Sequence, residues 1–266
     1  MKCLSPFFTS LGPVPCGRCI NCQINRSQQW SIRCLDEFKI TGIGFFLTLT
    51  FKKTDGKLRR KPLQDFLKRL RKEISPVKIR YFGCGEYGSK GLRPHYHLLV
   101  FGWRPDDLVS FRVDRKGQIL YRSALIERIW HSHTDNSYVA GFISIGDINE
   151  VTCRYASKYC SKLGSFDSEY PPFSAMSTHP GIGASSVSLA RCWQGTIVYQ
   201  NKVVPAPRYY ITCLSRQGVS VDGILADRRS RSCLLNGDYP VLDYNEIERA
   251  CFEARQRLER KIPKNG

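Results

Sequence analysis

Residues 45–51 have the sequence Phe-Phe-Leu-Thr-Leu-Thr-Phe, in which large apolar side chains alternate with threonine from residue 47 onward. Period-two alternation is typical of a β-strand with one face in a core. The β-rich runs at 78–84, 96–101 and 138–145 are further predicted strands, bounded by Gly, Pro and polar residues. These strands predict an antiparallel sheet.

Helices are predicted between and after these strands. Pro62 stands where a helix can begin, and apolar residues recur at positions 63, 66, 67, 70 and 74, which predicts an amphipathic helix. Residues 123–130 and 151–163 are predicted helices, and Asp243 opens a capping-box pattern that predicts a last one.

Strands and helices without regular βαβ alternation predict an α+β fold, with a central antiparallel sheet flanked by helices. We expect three segments. Residues 1–35 form a Cys-rich N-terminal segment, residues 36–165 form the core, and residues 166–266 form a basic, partly helical C-terminal extension.

The charge of the chain indicates a polyanionic partner. The 266 residues include 41 Lys and Arg against 23 Asp and Glu, a formal net charge of +18, and residues 52–93 alone hold 14 basic and four acidic side chains. Nucleic acid is the first candidate and an anionic membrane surface the second. The predicted DNA contacts are the basic residues of the helix from Pro62 and two further arginines; they are Lys68, Arg69, Arg71, Lys72, Arg93 and Arg154. A merely solvated basic helix is the alternative.

The sequence predicts no membrane partner and a cytoplasmic location. No window approaches the ~18 apolar residues that a membrane span needs, and the N-terminus lacks the apolar region of a signal peptide. In a reducing cytoplasm, the 12 cysteines favour thiols and metal ligands over disulfides. Cys16, Cys19 and Cys22, with Cys3 as a fourth ligand, are compatible with a structural Zn²⁺ site. An iron–sulfur cluster or reduced thiols are the alternatives.

Two histidines stand where one of the predicted strands begins. Because strand side chains alternate between faces, His95 and His97 share a face about 7 Å apart, near enough to bind one metal ion. Glu86 ends the preceding strand of a predicted hairpin and brings a carboxylate toward them. Such a set leaves coordination positions open and suits catalytic Mg²⁺ or Mn²⁺. A chance spacing is the alternative, and His131 and His133 form a rival pair in a polar loop.

Two tyrosines and two lysines share one face of the helix predicted over 151–163. Tyr155, Lys158, Tyr159 and Lys162 are spaced at i, i+3, i+4 and i+7. A phenol is a poor nucleophile near neutral pH, but adjacent positive charge favours the phenolate. The pattern is compatible with a covalent tyrosyl–phosphate intermediate. Half-buried packing of the tyrosines is the alternative.

Taken in order, these stretches resemble the three motifs of the HUH endonucleases that initiate rolling-circle replication. The motifs are Phe-Leu-Thr-Leu-Thr-Phe at 46–51, Gly-Glu-Tyr-Gly at 85–88 with Arg-Pro-His-Tyr-His at 93–97, and Tyr-x-x-Lys-Tyr at 155–159. More narrowly, the chain resembles the replication initiators of small single-stranded DNA phages, the gokushovirus branch of the Microviridae. Further matches lie at 15–22, 29–33, 78–82, 176–183 and 207–210.

The resemblance implies a metal-dependent endonuclease and strand transferase with an HUH-like fold. His95, His97 and Glu86 would hold one divalent ion. Tyr155 or Tyr159 would attack a DNA phosphate at the phage origin, leaving a 5′-phosphotyrosine and a free 3′-OH, and a later transfer would recircularise the single-stranded genome. Relatives often carry Arg where Lys158 stands.

The resemblance also implies the partners. They are single-stranded and origin DNA, a host DNA polymerase and a host helicase, in the cytoplasm of an infected bacterium. ATP is not expected as a cofactor, because the run from Gly83 to Lys90 only approaches a Walker A motif. A plasmid mobilisation relaxase is one alternative. A non-catalytic, zinc-stabilised single-stranded DNA-binding protein is another.

Overall fold

The chain folds into two compact units, one of residues 30–189 and one that combines residues 1–29 with residues 190–266. The computed structural model describes residues 3–10, 12–88, 92–114, 117–132, 138–159, 169–187 and 195–236, with Arg249 and Glu253. The strands and helices in these ranges, in chain order, are β1 (Phe7–Thr9), β2 (Gly12–Val14), α1 (Ile20–Thr41), β3 (Gly44–Thr54), α2 (Lys61–Glu73), β4 (Arg80–Tyr87), β5 (Pro94–Phe101), β6 (Leu108–Val113), β7 (Ile119–Ser123), α3 (Ala124–His131), β8 (Tyr138–Gly146), α4 (Glu150–Tyr159), β9 (Phe173–Met176), β10 (Thr196–Tyr199), β11 (Lys202–Pro205), α5 (Arg208–Arg216) and α6 (Asp222–Asn236).

A seven-stranded antiparallel sheet is the centre of the larger unit. Its strand order is β6-β7-β8-β3-β5-β4-β9, so β3 and β5 are in the middle. The structure confirms the predicted α+β class with a central antiparallel sheet and flanking helices. The predicted core ended at residue 165, whereas the unit observed here extends to residue 189, because β9 pairs with β4.

Side-chain alternation along β3 gives the sheet two different faces. Phe45, Leu47 and Leu49 are buried in one core, which also contains buried side chains of α2 and α3. We call this the α2 face. The intervening residues of β3 point to the opposite side, where buried residues of β4 and β5 pack with Cys153 and Ala156 of α4 and with Cys34 of α1. We call this the α4 face.

Helix α2 follows directly from its sequence. Pro62 lies in the first turn, where its missing N–H costs nothing. Leu63, Phe66, Leu67 and Leu70 are buried along one stripe on the α2 face of the sheet, as the periodicity predicted. The basic side chains between them are thereby left on the outer side of this face.

A buried carboxylate holds the loop after β9. Glu37 of α1 pairs with Arg80 of β4 and accepts a hydrogen bond from the backbone N–H of Gly183. Arg80 and Arg33 donate to the carbonyls of Pro180 and Ile182. Since Glu37 is buried and charged, this pairing offsets the cost of its desolvation. The loop is therefore anchored to the sheet and to α1.

The smaller unit contains the β1–β2 hairpin, the β10–β11 hairpin and helices α5 and α6. Helix α6 packs against β2. Its Arg228 donates hydrogen bonds to the carbonyls of Gly195 and Ala206, which ties α6 to the segments that flank the β10–β11 hairpin.

Several elements differ from the sequence expectations. The 22-residue helix α1 and the strands β6, β7 and β9 were not predicted. The helix predicted from Asp243 lies outside the described residues, except for Arg249 and Glu253, which are helical. Among the described helices, none has the length and apolar character that crossing a membrane requires.

Candidate metal centre and active site

Strands β4 and β5 bring two histidines and a glutamate together on the α4 face. In the antiparallel register, Glu86 lies directly opposite His95, and Cys84 lies opposite His97. Since Tyr96 and Leu98 are buried in the core of the α2 face, alternation sends both histidines to the other side. Glu86 and His97 are buried and His95 is partly exposed.

A single carboxylate oxygen lies between the two imidazoles. Oε1 of Glu86 is 2.9 Å from Nε2 of His95 and 3.0 Å from Nε2 of His97. The three potential ligand atoms lie within 4.8 Å of one another. The predicted set of Glu86, His95 and His97 is therefore assembled as a possible metal-binding group, with one side partly open to solvent.

The other ring nitrogen of each histidine has its own partner. Nδ1 of His95 is 3.2 Å from the carbonyl oxygen of Arg93. Nδ1 of His97 is 3.0 Å from the hydroxyl of Thr48, the residue opposite it on β3. Such outer partners fix the ring orientation of metal-ligating histidines.

Burial and hydrogen bonding set the charge states of this group. Burial by itself raises the pKa of Glu86, but the hydrogen bonds with His95 and His97 outweigh it and hold the pKa below its usual range. Burial lowers the pKa of His97. A charged carboxylate beside a neutral imidazole is the state in which both groups bind a metal ion.

Helix α4 places Tyr155 beside the metal-binding group. A reciprocal capping box begins this helix, because the N–H of Thr152 donates to Oδ1 of Asn149 and the N–H of Asn149 donates to Oγ1 of Thr152. The ring of Tyr155 meets the ring of His97 edge to face, with centroids 5.1 Å apart, and the residue is 41% exposed. A partly exposed tyrosine thus adjoins His97 of the metal-binding group.

The remaining residues of the tyrosine–lysine pattern are described only in part. Tyr159 is the last residue of α4, one turn beyond Tyr155, and nothing is described of its side chain. Lys158 is exposed on the same helix, as is Arg154, while Lys162 lies outside the described residues.

The rival histidine pair is also described only in part. His131 ends α3, and its Nε2 lies 3.1 Å from the carbonyl oxygen of Gly141. His133 lies outside the described residues.

The predicted DNA-contacting residues of α2 lie across the sheet from the metal-binding group. Lys68, Arg71 and Lys72 are exposed, and α2 covers the α2 face, whereas the histidines are on the α4 face. Arg69 donates a hydrogen bond to the carbonyl of Ile129 and thereby links α2 to α3. The sequence did not indicate that the sheet would separate the basic helix from the histidines.

Four cysteine sulfurs form a second possible metal-binding group in the smaller unit. The Sγ atoms of Cys3 and Cys19 are 3.9 Å apart and those of Cys16 and Cys22 are 4.0 Å apart, and all four lie within 4.8 Å of one another. Backbone N–H groups of Leu4, Cys16, Arg18 and Cys19 donate to three of these sulfurs. Burial opposes ionisation of Cys16, but the N–H groups of Cys19 and Arg18 lower its pKa to about 7.

Sequence reasoning assigned no role to two side chains of this site. They are Thr48, which contacts Nδ1 of His97, and Phe46, whose ring stacks on His97 with centroids 5.5 Å apart. Both belong to the first quoted strand, at the alternate positions that point away from the α2 core. Aligning β3 with β5 reveals them, but only once the register of the two strands is known.

Comparisons with known proteins place this site in a family context. Residues 44–164, which contain the histidines, Glu86 and Tyr155, match a sequence family of replication-associated proteins that is named for ORF2. The chain is similar to phage replication-associated proteins. The predicted resemblance to phage replication initiators is therefore confirmed.

Three relatives illustrate the similarity. The chain is 30% identical over 210 residues to replication-associated protein VP4 of Bdellovibrio phage phiMH2K. This alignment covers 74% of the chain and 65% of the relative. It is 30% identical over 161 residues to replication-associated protein ORF2 of Spiroplasma virus 4, covering 56% of this chain and 48% of the relative. Replication-associated protein ORF4 of Chlamydia phage 1 is 26% identical over 160 residues, or 56% of this chain and 38% of the relative.

The chain therefore spans between about two fifths and two thirds of the length of these relatives. No solved structure matches it.

Proposed function

We propose that the chain is a rolling-circle replication initiator of the HUH type, which nicks one DNA strand at a phage origin and later rejoins it. The observation that carries this proposal is the convergence of Glu86, His95 and His97 with the partly exposed phenol of Tyr155. The matches to phage replication-associated proteins support the same interpretation. The activity would take place in the cytoplasm of the bacterial host.

The metal at the Glu-His-His group is proposed to be Mg²⁺ or Mn²⁺. Glu86, His95 and His97 would hold the ion, since two imidazole nitrogens and a carboxylate oxygen leave coordination positions open for water or a phosphate oxygen. When bound, the ion would supply Lewis-acid stabilisation of charge on the reacting phosphate.

The tyrosine would be the nucleophile. The oxygen of Tyr155 or Tyr159 forms a bond to phosphorus and the bond from phosphorus to the 3′-oxygen breaks, so the DNA leaves with a free 3′-OH and its 5′ phosphate on the enzyme. The phenol gives up its proton and the departing 3′-oxygen gains one. Lys158 and Lys162 are proposed to favour the phenolate by their charge.

Two tyrosines permit a complete cycle. One would hold the 5′ end while a host polymerase extends the 3′-OH, and the second would cut the regenerated origin so that its 3′-OH attacks the first linkage. Because the phosphotyrosine conserves the bond energy, joining requires no ATP. Strand separation would depend on a host helicase.

The four cysteines are proposed to hold a structural Zn²⁺ ion. Sulfurs around a tetrahedral zinc with bonds of about 2.3 Å are about 3.8 Å apart. The observed Sγ separations of 3.9 and 4.0 Å are close to that value. Four thiolates fill the coordination sphere, so this ion would stabilise residues 3–22 and take no part in the chemistry.

The test of the activity is a covalent adduct. Single-stranded oligonucleotides that tile the genome encoding this chain are incubated with the protein and Mn²⁺, and denaturing gels detect DNA attached to protein. One tile should yield the adduct, and the Tyr155→Phe, Tyr159→Phe double variant should yield none. Tyr199→Phe, in the smaller unit, is the control and should react normally. An adduct that persists in the double variant contradicts the assignment of the nucleophile.

The same assay separates the enzyme from the non-catalytic alternative. A single-stranded DNA-binding protein would retain the tiles on a filter in a salt-dependent way, with or without Mn²⁺, and would give neither an adduct nor a shortened strand.

A further inference from the structure

Phe142 of strand β8 has a large apolar side chain that is exposed to solvent. Its flanking residue Ile143 and the following Ile145 are buried in the core of the α2 face. Phe142 and Ser144 therefore point to the α4 face. Phe142 is 76% exposed and lies at an irregularity of the β3–β8 register, between the pairs Leu49–Ile143 and Phe51–Ala140.

This side chain lies on the same face as the metal-binding group and close to it. Thr48 of β3 is opposite His97 on one side and opposite Ser144 on the other. Phe142 is two residues along β8 from Ser144, toward the end of the sheet where His95 lies. With strands about 4.8 Å apart and about 3.4 Å per residue, Phe142 is about 12 Å from His97.

In the part of the chain that the structure describes, exposed side chains lie on this region of the α4 face. Helix α4 packs against β4 and β5, and its buried residues belong to the core with Leu99 and Phe101 of β5. Across β8 and the neighbouring β7 and β6, Val109 is exposed as well as Phe142. Among the described residues, β8 and β7 therefore present exposed side chains on this face, and the hydroxyl of Thr50 donates a hydrogen bond to the carbonyl of Phe142.

One arginine lies beside the exposed ring, and two lysines are exposed on the neighbouring strand β3. The guanidinium carbon of Arg122 lies 5.8 Å from the centroid of the Phe142 ring, and Arg122 also pairs with Glu127. Lys52 and Lys53 are exposed at the end of β3, and Lys53 is opposite Val139 of β8. An aromatic ring among cations is the pairing that single-stranded DNA-binding surfaces use, because bases stack on the ring while cations attract phosphates.

A single exposed hydrophobic residue is ordinary on a protein surface. Three observations together distinguish Phe142: it is aromatic, it lies on the same face of the sheet as the metal-binding group at about 12 Å from His97, and Arg122 lies beside its ring. We propose that Phe142 stacks against a base of the single-stranded DNA as the strand leaves the metal-binding group, and that Arg122 contacts the adjoining phosphate. This proposal rests on the proposed function, in that the DNA is taken to occupy the α4 face.

The experiment measures binding without chemistry. Fluorescence anisotropy with a labelled single-stranded oligonucleotide in EDTA gives Kd for the whole chain and its variants at one ionic strength. Phe142→Ala should weaken binding about 5- to 150-fold, since stacking of one base contributes ~1–3 kcal/mol. Phe142→Trp should retain or improve the wild-type affinity. An oligonucleotide with 2-aminopurine should show quenched emission with the wild type and recovered emission with Phe142→Ala.

Phe8→Ala is the matched control, because Phe8 is 67% exposed in the smaller unit. Unchanged affinity in Phe142→Ala, or an equal loss in Phe8→Ala, overturns the proposal. So does sedimentation that shows Phe142→Ala disrupting a dimer of the chain with DNA affinity intact. The binding assay involves neither metal nor cleavage, so it tests the role of Phe142 separately from the nucleophile. An adduct that persists in the double tyrosine variant overturns the proposed nucleophile and leaves the binding result unaffected.

Discussion

The two possible metal-binding groups of this chain differ in the type of ligand atom, in burial and in the side chains that surround them. The smaller unit offers four sulfurs, with Cys3, Cys19 and Cys22 buried and backbone N–H groups directed at the sulfurs. The larger unit offers two imidazole nitrogens and one carboxylate, with a partly exposed tyrosine alongside. Soft, complete ligand sets are typical of structural sites, and incomplete sets of nitrogen and oxygen are typical of sites where a substrate completes the coordination.

The spacing of the ligand atoms sharpens that contrast. Sulfur pairs are 3.9 and 4.0 Å apart in the first group, whereas the oxygen of Glu86 lies 2.9 and 3.0 Å from its two nitrogens in the second. The sulfur separations are close to those around a tetrahedral zinc ion, whereas the oxygen–nitrogen separations are those of hydrogen bonds. The proposal that the two groups hold different metals is tested by removing one ligand from each.

The largest effect is expected at the cysteine group. Cys22→Ser should remove one equivalent of zinc and unfold residues 3–22, because zinc binding contributes on the order of 10 kcal/mol to the folding of small zinc modules. Elemental analysis measures the zinc, and hydrogen exchange measures protection of these residues. Cys213→Ser, in α5 and outside the group, should keep both. Zinc retained at full occupancy in the Cys22 variant contradicts the assignment.

Loss of the carboxylate should abolish cleavage with little effect on folding. Glu86→Gln removes the charge between His95 and His97, so Mn²⁺ affinity should fall and nicking should slow by about 10²-fold or more. Calorimetry with Mn²⁺ and the adduct assay measure these two quantities. Glu73→Gln, at an exposed ion pair with Arg128, is the control. If the Glu86 variant instead loses its zinc, the two groups are not independent and the comparison fails.

A smaller effect is expected from the outer partner of His97. Thr48→Val keeps the shape of the side chain but deletes the hydroxyl that contacts Nδ1, so Mn²⁺ affinity should fall about 10- to 100-fold. Thr50→Val is the control, since the hydroxyl of Thr50 bonds to a backbone carbonyl. Equal Mn²⁺ affinity in the Thr48 variant and the wild type would show that this hydroxyl does not orient the ring.

The smallest effect is expected on helix α2. Replacing Lys68 and Lys72 by Gln should lower the slope of log Kd against log salt by at most about 2, because each phosphate contact contributes just under one. The rate of adduct formation at saturating DNA should stay unchanged. The pair Lys39→Gln, Lys202→Gln matches the loss of charge elsewhere. A slower rate at saturation would place α2 at the reacting phosphate, against its position on the opposite face.

Much of the larger unit was accessible from sequence because its patterns are local. The alternation in β3, the stripe of α2 and the hairpin that joins Glu86 to His95 each follow from residues within a few positions of one another. The convergence of Glu86, His95 and His97 needed only the period of a strand and one tight register.

The strands and the helix that were not predicted either lack such local patterns or overlap another sequence motif. Strand β6 is mostly exposed and shows no alternation, and β9 has four residues that gain their partner from β4, about 90 positions earlier. Helix α1 carries Trp30, Cys34 and Phe38 at helical spacing, but its beginning overlaps the cysteine run and was interpreted as part of it. Amphipathicity shows that α2 covers a sheet; it does not show which face.

The position of α2 across the sheet from the histidines has an evolutionary consequence. A hydrogen-bonded layer of β-strands separates its basic side chains from the reacting groups, so substitutions on the two faces act through different atoms and their free energies should add. Under the proposed function, selection could therefore change DNA affinity through α2 without altering the chemistry at the histidines.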